Sequence, residues 1–184
     1  MGITMNIEIG KLYFVKDDFY SRFKDFGLLT NKEEINGQQH NRPCCCVLND
    51  KQFNENNNIY WFIPISSQVA KYQSQYQKSI DKYGMCDNIS FGFVLGRNTA
   101  FLPQNLFPIT DNYINNVYVD NNTLSPITIH PSLMSKLCEK ARKKIRYNKQ
   151  GKCFGLSDVM GIYQELISDD LSGDKSNNKI LLYQ

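Results

Sequence analysis

Two unbroken apolar runs constrain the fold of this chain more than any other feature. Arg42–Asn49, RPCCCVLN, and Ile59–Ile65, IYWFIPI, each have the length of one strand and are rich in residues that suit a pleated, buried backbone. The Asn-rich stretch Asn49–Asn58 turns the chain between them, which makes the second run an antiparallel partner of the first. In an extended backbone Cys44 and Cys46 face one side and Cys45 the other. Adjacent residues on one strand cannot close a tetrahedral zinc site, and the usual spacing of two to four residues between ligands is absent from the sequence. A catalytic thiol needs an adjacent base and an electropositive pocket, and His40, the nearest candidate, precedes the strand. Cysteine is otherwise a small, well-buried hydrophobe, so all three are assigned to sheet packing. A cysteine hydrolase using one of them with His40 stands as a competing reading.

The flanking pattern is of short strands with helices set between them. Lys11–Lys16 reads as a strand. Asp17 or Asp18 then caps a short helix with Phe19, Phe23 and Phe26 on one face, which Gly27 stops. Leu29–Asn41 reads as a polar loop carrying Asn36-Gly37. A helix follows Ser66 or Ser67 as cap, with Val69, Tyr72, Tyr76, Ile80 and Tyr83 in one stripe and Gly84 at its end. Ile89–Gly96 and Ala100–Pro103 pair in a hairpin around Arg97-Asn98, and short strands follow at LFPI, VYV and ITI. Pro131 opens a helix in which Leu133, Leu137, Ala141 and Ile145 recur every four residues, while Lys136, Lys140, Lys143 and Lys144 fall off that stripe. A last helix, LSDVMGIYQELI, is capped by Ser157, and the polar tail from Ser168 is expected to fray.

These elements give one α+β domain over residues 1–184, a small curved antiparallel sheet or SH3-like barrel decorated by about four helices. No stretch approaches the ~18 apolar residues of a membrane span, and the N-terminus lacks the apolar run of a signal peptide. Met5 is an alternative start. Six cysteines in a chain of this size without an export signal read as reduced thiols, so a cytoplasmic protein is expected.

Charge is unevenly spread. Lys136–Lys152 carries eight Lys and Arg against one acid, Glu139, whereas the remaining 13 bases and 17 acids leave the body mildly acidic. A cationic arm on an acidic body favours a polyanionic partner. Lys136, Lys140, Arg142, Lys143, Lys144, Arg146 and Lys149 are the candidate RNA contacts on that helix, with Arg97 as a further candidate elsewhere. The same arm suits a non-catalytic RNA- or DNA-binding protein using residues 136–152.

Two short stretches offer chemistry. His40 and Arg42 are two apart where a loop enters a strand, and Pro43 holds Arg42 extended, so both side chains can point one way. Histidine exchanges protons near neutrality and arginine binds phosphate through parallel hydrogen bonds. Ser66 and Ser67 stand between a buried strand and a helix start, where free backbone N–H groups attract anions, and Lys71 lies about one turn in. The sequence lacks a Walker loop, HExxH, GxSxG or paired-carboxylate signature, so neither a metal nor a cofactor is expected.

The order KLYFV, an aromatic-rich helix, RPCCCVLN, WFIPISS with Lys71, and GFVLGRNTAFLPQNLFPI resembles the endoribonuclease toxins of type III toxin–antitoxin systems, the ToxN/AbiQ and CptN types, over roughly Lys11–Tyr147. The Arg-Pro strand start also resembles the MazF-like toxins. The resemblance implies an SH3-like barrel and metal-independent RNA cleavage by the neighbouring 2′-OH, leaving a 2′,3′-cyclic phosphate. It implies as partners cellular mRNA and a small, folded, repeat-encoded RNA antitoxin, processed and bound in an assembly with two or more copies of each. Arg42 or His40 would fill the role of the family's basic residue before this strand, Ser66 and Ser67 its hydroxyl pair, and Lys71 its downstream lysine. The family's lysine is an arginine here, a poor base, which moves His40 forward as acid or base and leaves Arg42 and Lys71 to stabilise the phosphate. The family's tyrosine in the first helix is matched by Phe19 or Tyr20, of which only Tyr20 can hydrogen-bond.

Overall fold

The structure, a computed structural model, describes residues 6–50, 59–152 and 157–177. Residues 51–58, within the stretch expected to turn the chain, together with Met5, Cys153 and the residues from 178, lie outside the described residues. In chain order the elements are β1 (Leu12–Val15), α1 (Asp17–Arg22), β2 (Lys32–Ile35), β3 (Gln38–Asn41), β4 (Cys44–Asp50), β5 (Ile59–Ser66), α2 (Val69–Tyr83), β6 (Ser90–Val94), β7 (Arg97–Phe101), β8 (Phe107–Thr110), β9 (Ile114–Val117), α3 (Pro131–Lys149) and α4 (Val159–Asn177).

The two apolar runs form the centre of the sheet. β4 pairs antiparallel with β5 from Cys44↔Pro64 to Asp50↔Ile59, and a bulge between Cys46 and Leu48 bends the ladder. The other edge of β5 is shared: its first half pairs with β8 and its last two residues with β7. The resulting order, β6-β7-β5-β4-β1-β9 with β8 beside β5, is an open path whose two end strands do not meet. The α+β expectation with four helices therefore stands, and the barrel alternative is corrected to a curved open sheet. The split of β5 between two partners, and the bulges in β1 and β4, bend the sheet without closing it. Cys44, Cys45, Cys46, Phe62 and Ile63 are wholly buried. α3 packs on β4 and α4 on β8, and a smaller apolar cluster around Tyr72, Ile89 and Leu102 lies under α2.

β2 and β3 form a separate two-stranded ribbon, where the sequence suggested a loop. Asn36 and Gly37 both have positive φ, 52° and 77°, the backbone of the tight turn whose twist matches antiparallel strands. The β6–β7 hairpin turns at Leu95-Gly96, φ 51° and 72°, not at Arg97-Asn98; the glycine two residues earlier accepts the left-handed geometry.

Helix ends follow local chemistry. α1 buries Phe19, and Phe23 just beyond it is also buried, before Gly27 at φ 72° ends the turn that follows. Asp17 and Asp18 lie inside its first turn and leave Lys16 as the uncapped N-cap. His130 caps α3, its ring accepting from the Ser132 N–H at 3.3 Å, and Pro131 takes the first helical position. Asp158 accepts from Gly161 N at 2.9 Å in the first turn of α4, while the Ser157 hydroxyl donates to the Gly27 carbonyl instead of capping. α4 continues to Asn177, past Ser168 where fraying was expected. Gly92 in β6 admits the close approach of α3, since a methyl at that position would collide with Leu133 Cδ2. Among the described residues no helix is long and apolar enough to cross a membrane.

Candidate active site

The start of β4 and the end of β5 are brought side by side by the central hairpin, with Ile65 N donating to the Pro43 carbonyl at 3.0 Å. Across this point lies the β2–β3 ribbon. Together with the β6–β7 hairpin and the loop after β9 they enclose a cleft of about 1130 Å³. His40, Ser66, Ser67 and Arg97 line it, as does Glu33.

Glu33 is the residue around which the floor of the cleft is built. Its side chain is 6% exposed, and its two carboxylate oxygens accept from four donors. Oε1 takes Arg42 Nη1 at 3.2 Å and the Ser66 hydroxyl; Oε2 takes Ser67 N at 3.2 Å and Ser67 Oγ at 3.2 Å. The sequence reading did not single out this residue. Its one available signal was Asn36-Gly37, which as a two-residue hairpin turn sets Glu33 directly opposite His40. Opposed residues of a ribbon project to the same face, so the carboxylate and the imidazole enter the site from one element.

The expected anion site at the start of α2 therefore holds an internal carboxylate. Ser66 Oγ also accepts from Gln68 N at 3.1 Å, whereas the N-cap of α2 is Gln68 and no serine side chain caps the helix in the usual way. Ser66 is buried and Ser67 exposed, so the second hydroxyl is the one open to the cleft's solvent.

Arg42 and His40 do not act side by side. β3 ends at Asn41, and the side chain of the next residue, Arg42, goes inward, 5% exposed. Its guanidinium donates to the carbonyls of Ile65 at 3.0 Å and Thr30 at 3.3 Å as well as to Glu33. His40 stays exposed at the rim. Lys71 faces solvent on α2 with its ammonium 5.5 Å from the Tyr72 ring centre and is not part of the cleft wall.

Tyr20 stands apart too. Its ring lies edge-on to Phe19 at 5.6 Å, its hydroxyl is 3.9 Å from Cys44 Sγ, and burial pushes its phenol well up. The cysteines form the packed floor: burial pushes Cys44 and Cys46 up to about 12, and none of the three faces the cleft. The five described cysteines are unbridged. Among the described residues no group of three His, Cys, Asp or Glu is placed to hold a metal ion.

The basic helix divides into two sets. Lys140 donates to the carbonyls of Cys86 at 2.7 Å and Ile89 at 2.8 Å and to Ser90 Oγ at 2.9 Å. Lys143 pairs with Asp87, and Lys144 is 7% exposed with no hydrogen-bond partner for its ammonium. Lys136 is exposed, and Arg142, Arg146 and Lys149 line a shallow groove of about 310 Å³.

No family model matches the sequence, and no curated protein matches it significantly. Several solved chains share the fold, two of them as follows. One is AbiQ, a lactococcal anti-phage endoribonuclease belonging to the type III toxin–antitoxin system, at TM-score 0.59 and 14% identity over 90% of this chain and 98% of AbiQ. The other comes from work on a processed non-coding RNA that regulates a bacterial antiviral system, at TM-score 0.58 and 13% identity over 86% of this chain and 98% of that one.

Proposed function

We propose that this chain is an endoribonuclease of the type III toxin kind, which cleaves RNA by attack of the neighbouring 2′-OH and leaves 2′,3′-cyclic phosphate and 5′-hydroxyl ends. The observation that carries this reading is the convergence of His40, Ser67 and Arg97, from three separate elements, on one open cleft in a fold shared with AbiQ. Transesterification needs proton transfer at two oxygens and positive charge at the phosphorane. His40 exchanges a proton, Ser67 presents its hydroxyl oxygen to the substrate, and Arg97 meets the phosphate. Arg42 and Ser66 act from beneath, fixing the groups that face the substrate.

The partner proposed is a small folded RNA antitoxin, bound and processed in an assembly with more than one copy of each component, with cellular mRNA as the target. The exposed bases of α3 supply sequence-independent phosphate contacts for it. The reaction proposed proceeds without a metal ion, because the acid–base and charge-stabilising groups it needs are all side chains of the cleft.

The test is incubation of the purified protein with RNA in excess EDTA, followed by end-group analysis. Cyclic-phosphate ends that are lost on His40→Ala, with folding retained, support the reading. Salt-sensitive RNA binding with no cleavage by the wild-type protein defeats it in favour of a binding protein.

A further inference from the structure

We propose that Glu33 is the proton acceptor of the cleavage step, receiving the 2′-hydroxyl proton through Ser67, while His40 on the facing strand protonates the leaving oxygen. This rests on the endoribonuclease reading and assigns the two proton transfers that it leaves open.

Ser67 is exposed to the cleft and its Oγ lies 3.2 Å from Glu33 Oε2. A hydroxyl accepts one hydrogen bond while donating another, so a substrate 2′-OH resting on Ser67 completes a two-proton chain to the carboxylate. Glu33 lines the cleft with little surface open to it and acts through the exposed Ser67. Arg42 and Ser66 hold the other carboxylate oxygen, which fixes the orientation of Oε2. His40 sits directly opposite Glu33 in the ribbon and lines the same cleft. Directly opposed residues have Cβ atoms only ~5 Å apart, which is tight for two groups acting on opposite sides of a phosphorus atom. Extending the base by one serine hydroxyl, while the imidazole remains at the rim, opens the separation that in-line displacement needs.

The step balances. The 2′-hydroxyl proton passes to Ser67 Oγ as the serine proton passes to Glu33 Oε2. The O2′–P bond forms and the P–O5′ bond breaks, with O5′ taking the imidazolium proton of His40. Glu33 returns its proton to solvent and His40 regains one, so neither group is consumed.

The experiment uses the full chain and two RNA oligonucleotides, one ordinary and one with sulfur replacing the bridging 5′-oxygen at the cleaved linkage, since a thiolate leaves without protonation. His40→Ala is expected to slow the oxygen substrate at least about 100-fold and to return to within about tenfold of wild type on the sulfur substrate. Glu33→Gln and Ser67→Ala are expected to stay at least about 100-fold slow on both. Because Glu33→Gln strips the carboxylate from a buried arginine, Glu33→Gln with Arg42→Met is the companion variant. Should both fail to fold, Ser67→Ala, which leaves the ion pair intact, carries the same comparison. Wild-type rates in any folded variant of Glu33, or rescue of Glu33→Gln or Ser67→Ala by sulfur, overturn the assignment while the nuclease reading stands. A wild-type protein that cuts no RNA overturns both.

Discussion

The Arg42 guanidinium stands 3.2 Å from the Glu33 carboxylate with both side chains only 6% exposed. Such a pair gains little over well-packed apolar residues, yet removing one partner strands a buried charge. Arg42→Ala is therefore expected to lower stability by about 3–5 kcal/mol. Equilibrium urea unfolding measures it, and a loss below about 1 kcal/mol would mean that water already reaches the pair.

Arg97 and Lys71 separate the cleft from its surroundings. Arg97→Ala is expected to weaken RNA binding about tenfold and to flatten the slope of log affinity against log salt by about one. Lys71→Ala, outside the cleft wall, should leave both unchanged. A salt titration by fluorescence anisotropy compares them directly, and equal effects would move the substrate path out over α2.

The bases of α3 should answer differently to the same substitution. Arg142→Ala and Arg146→Ala line an open groove and are expected to lower RNA affinity with little change in stability. Lys140→Ala removes the donor to two carbonyls and a serine hydroxyl and should cost about 1–3 kcal/mol of stability. Thermal melts run beside the binding assays distinguish the two groups.

Lys144 gives a pH signature. Burial pushes its ammonium down to about 7, while the unfolded chain holds the proton to its ordinary value near 10.5. Between these values the unfolded state binds more protons, so stability rises as pH climbs from about 7, and the full penalty is present below. Lys144→Met is expected to stabilise the protein by roughly 1–3 kcal/mol at pH 6 and to flatten that rise. Urea midpoints at pH 6, 7.5 and 9 decide it.

Cys44 and Cys46 are expected to resist alkylation in the folded protein. Both are fully buried and their thiols are pushed up to about 12, so the thiolate is scarce at pH 8. Peptide mass mapping after iodoacetamide, with half-buried Cys138 as internal reference, tests this. Rapid modification of Cys44 together with loss of activity would restore the thiol reading.

The central hairpin was legible because continuous apolar runs of strand length have few other uses, and Cys44–Cys46 sit there as packing. The ribbon was not, because Gln38–Asn41 is exposed throughout and Lys32–Ile35 mostly so, and neither carries an apolar alternation; only Asn36-Gly37 marks it. Glu33 was missed for the same reason: its burial is created by Arg42, nine residues on, once the chain has turned back. His40, Ser66 and Ser67 were named from local chemistry, and all three line one cleft with Arg97. Lys144 was placed off the apolar stripe, but Leu137, Ala141 and Lys144 lie at i, i+4 and i+7, and the helix turns that line to the core.

A two-stranded ribbon has little stability of its own. This one touches the rest of the molecule through the bonds of Glu33 to Arg42, Ser66 and Ser67, through Asn31 Nδ2, which donates to Asp17 Oδ1 at 2.6 Å and the Val15 carbonyl at 3.4 Å, and through the Lys32–Asp17 pair. A fluctuation that lifts the ribbon away would carry Glu33 and His40 with it. Amide exchange should accordingly find two populations of protection, a fast one in residues 32–41 and a slow one in the central hairpin. A molecule of this design can go silent by sub-global opening long before it melts.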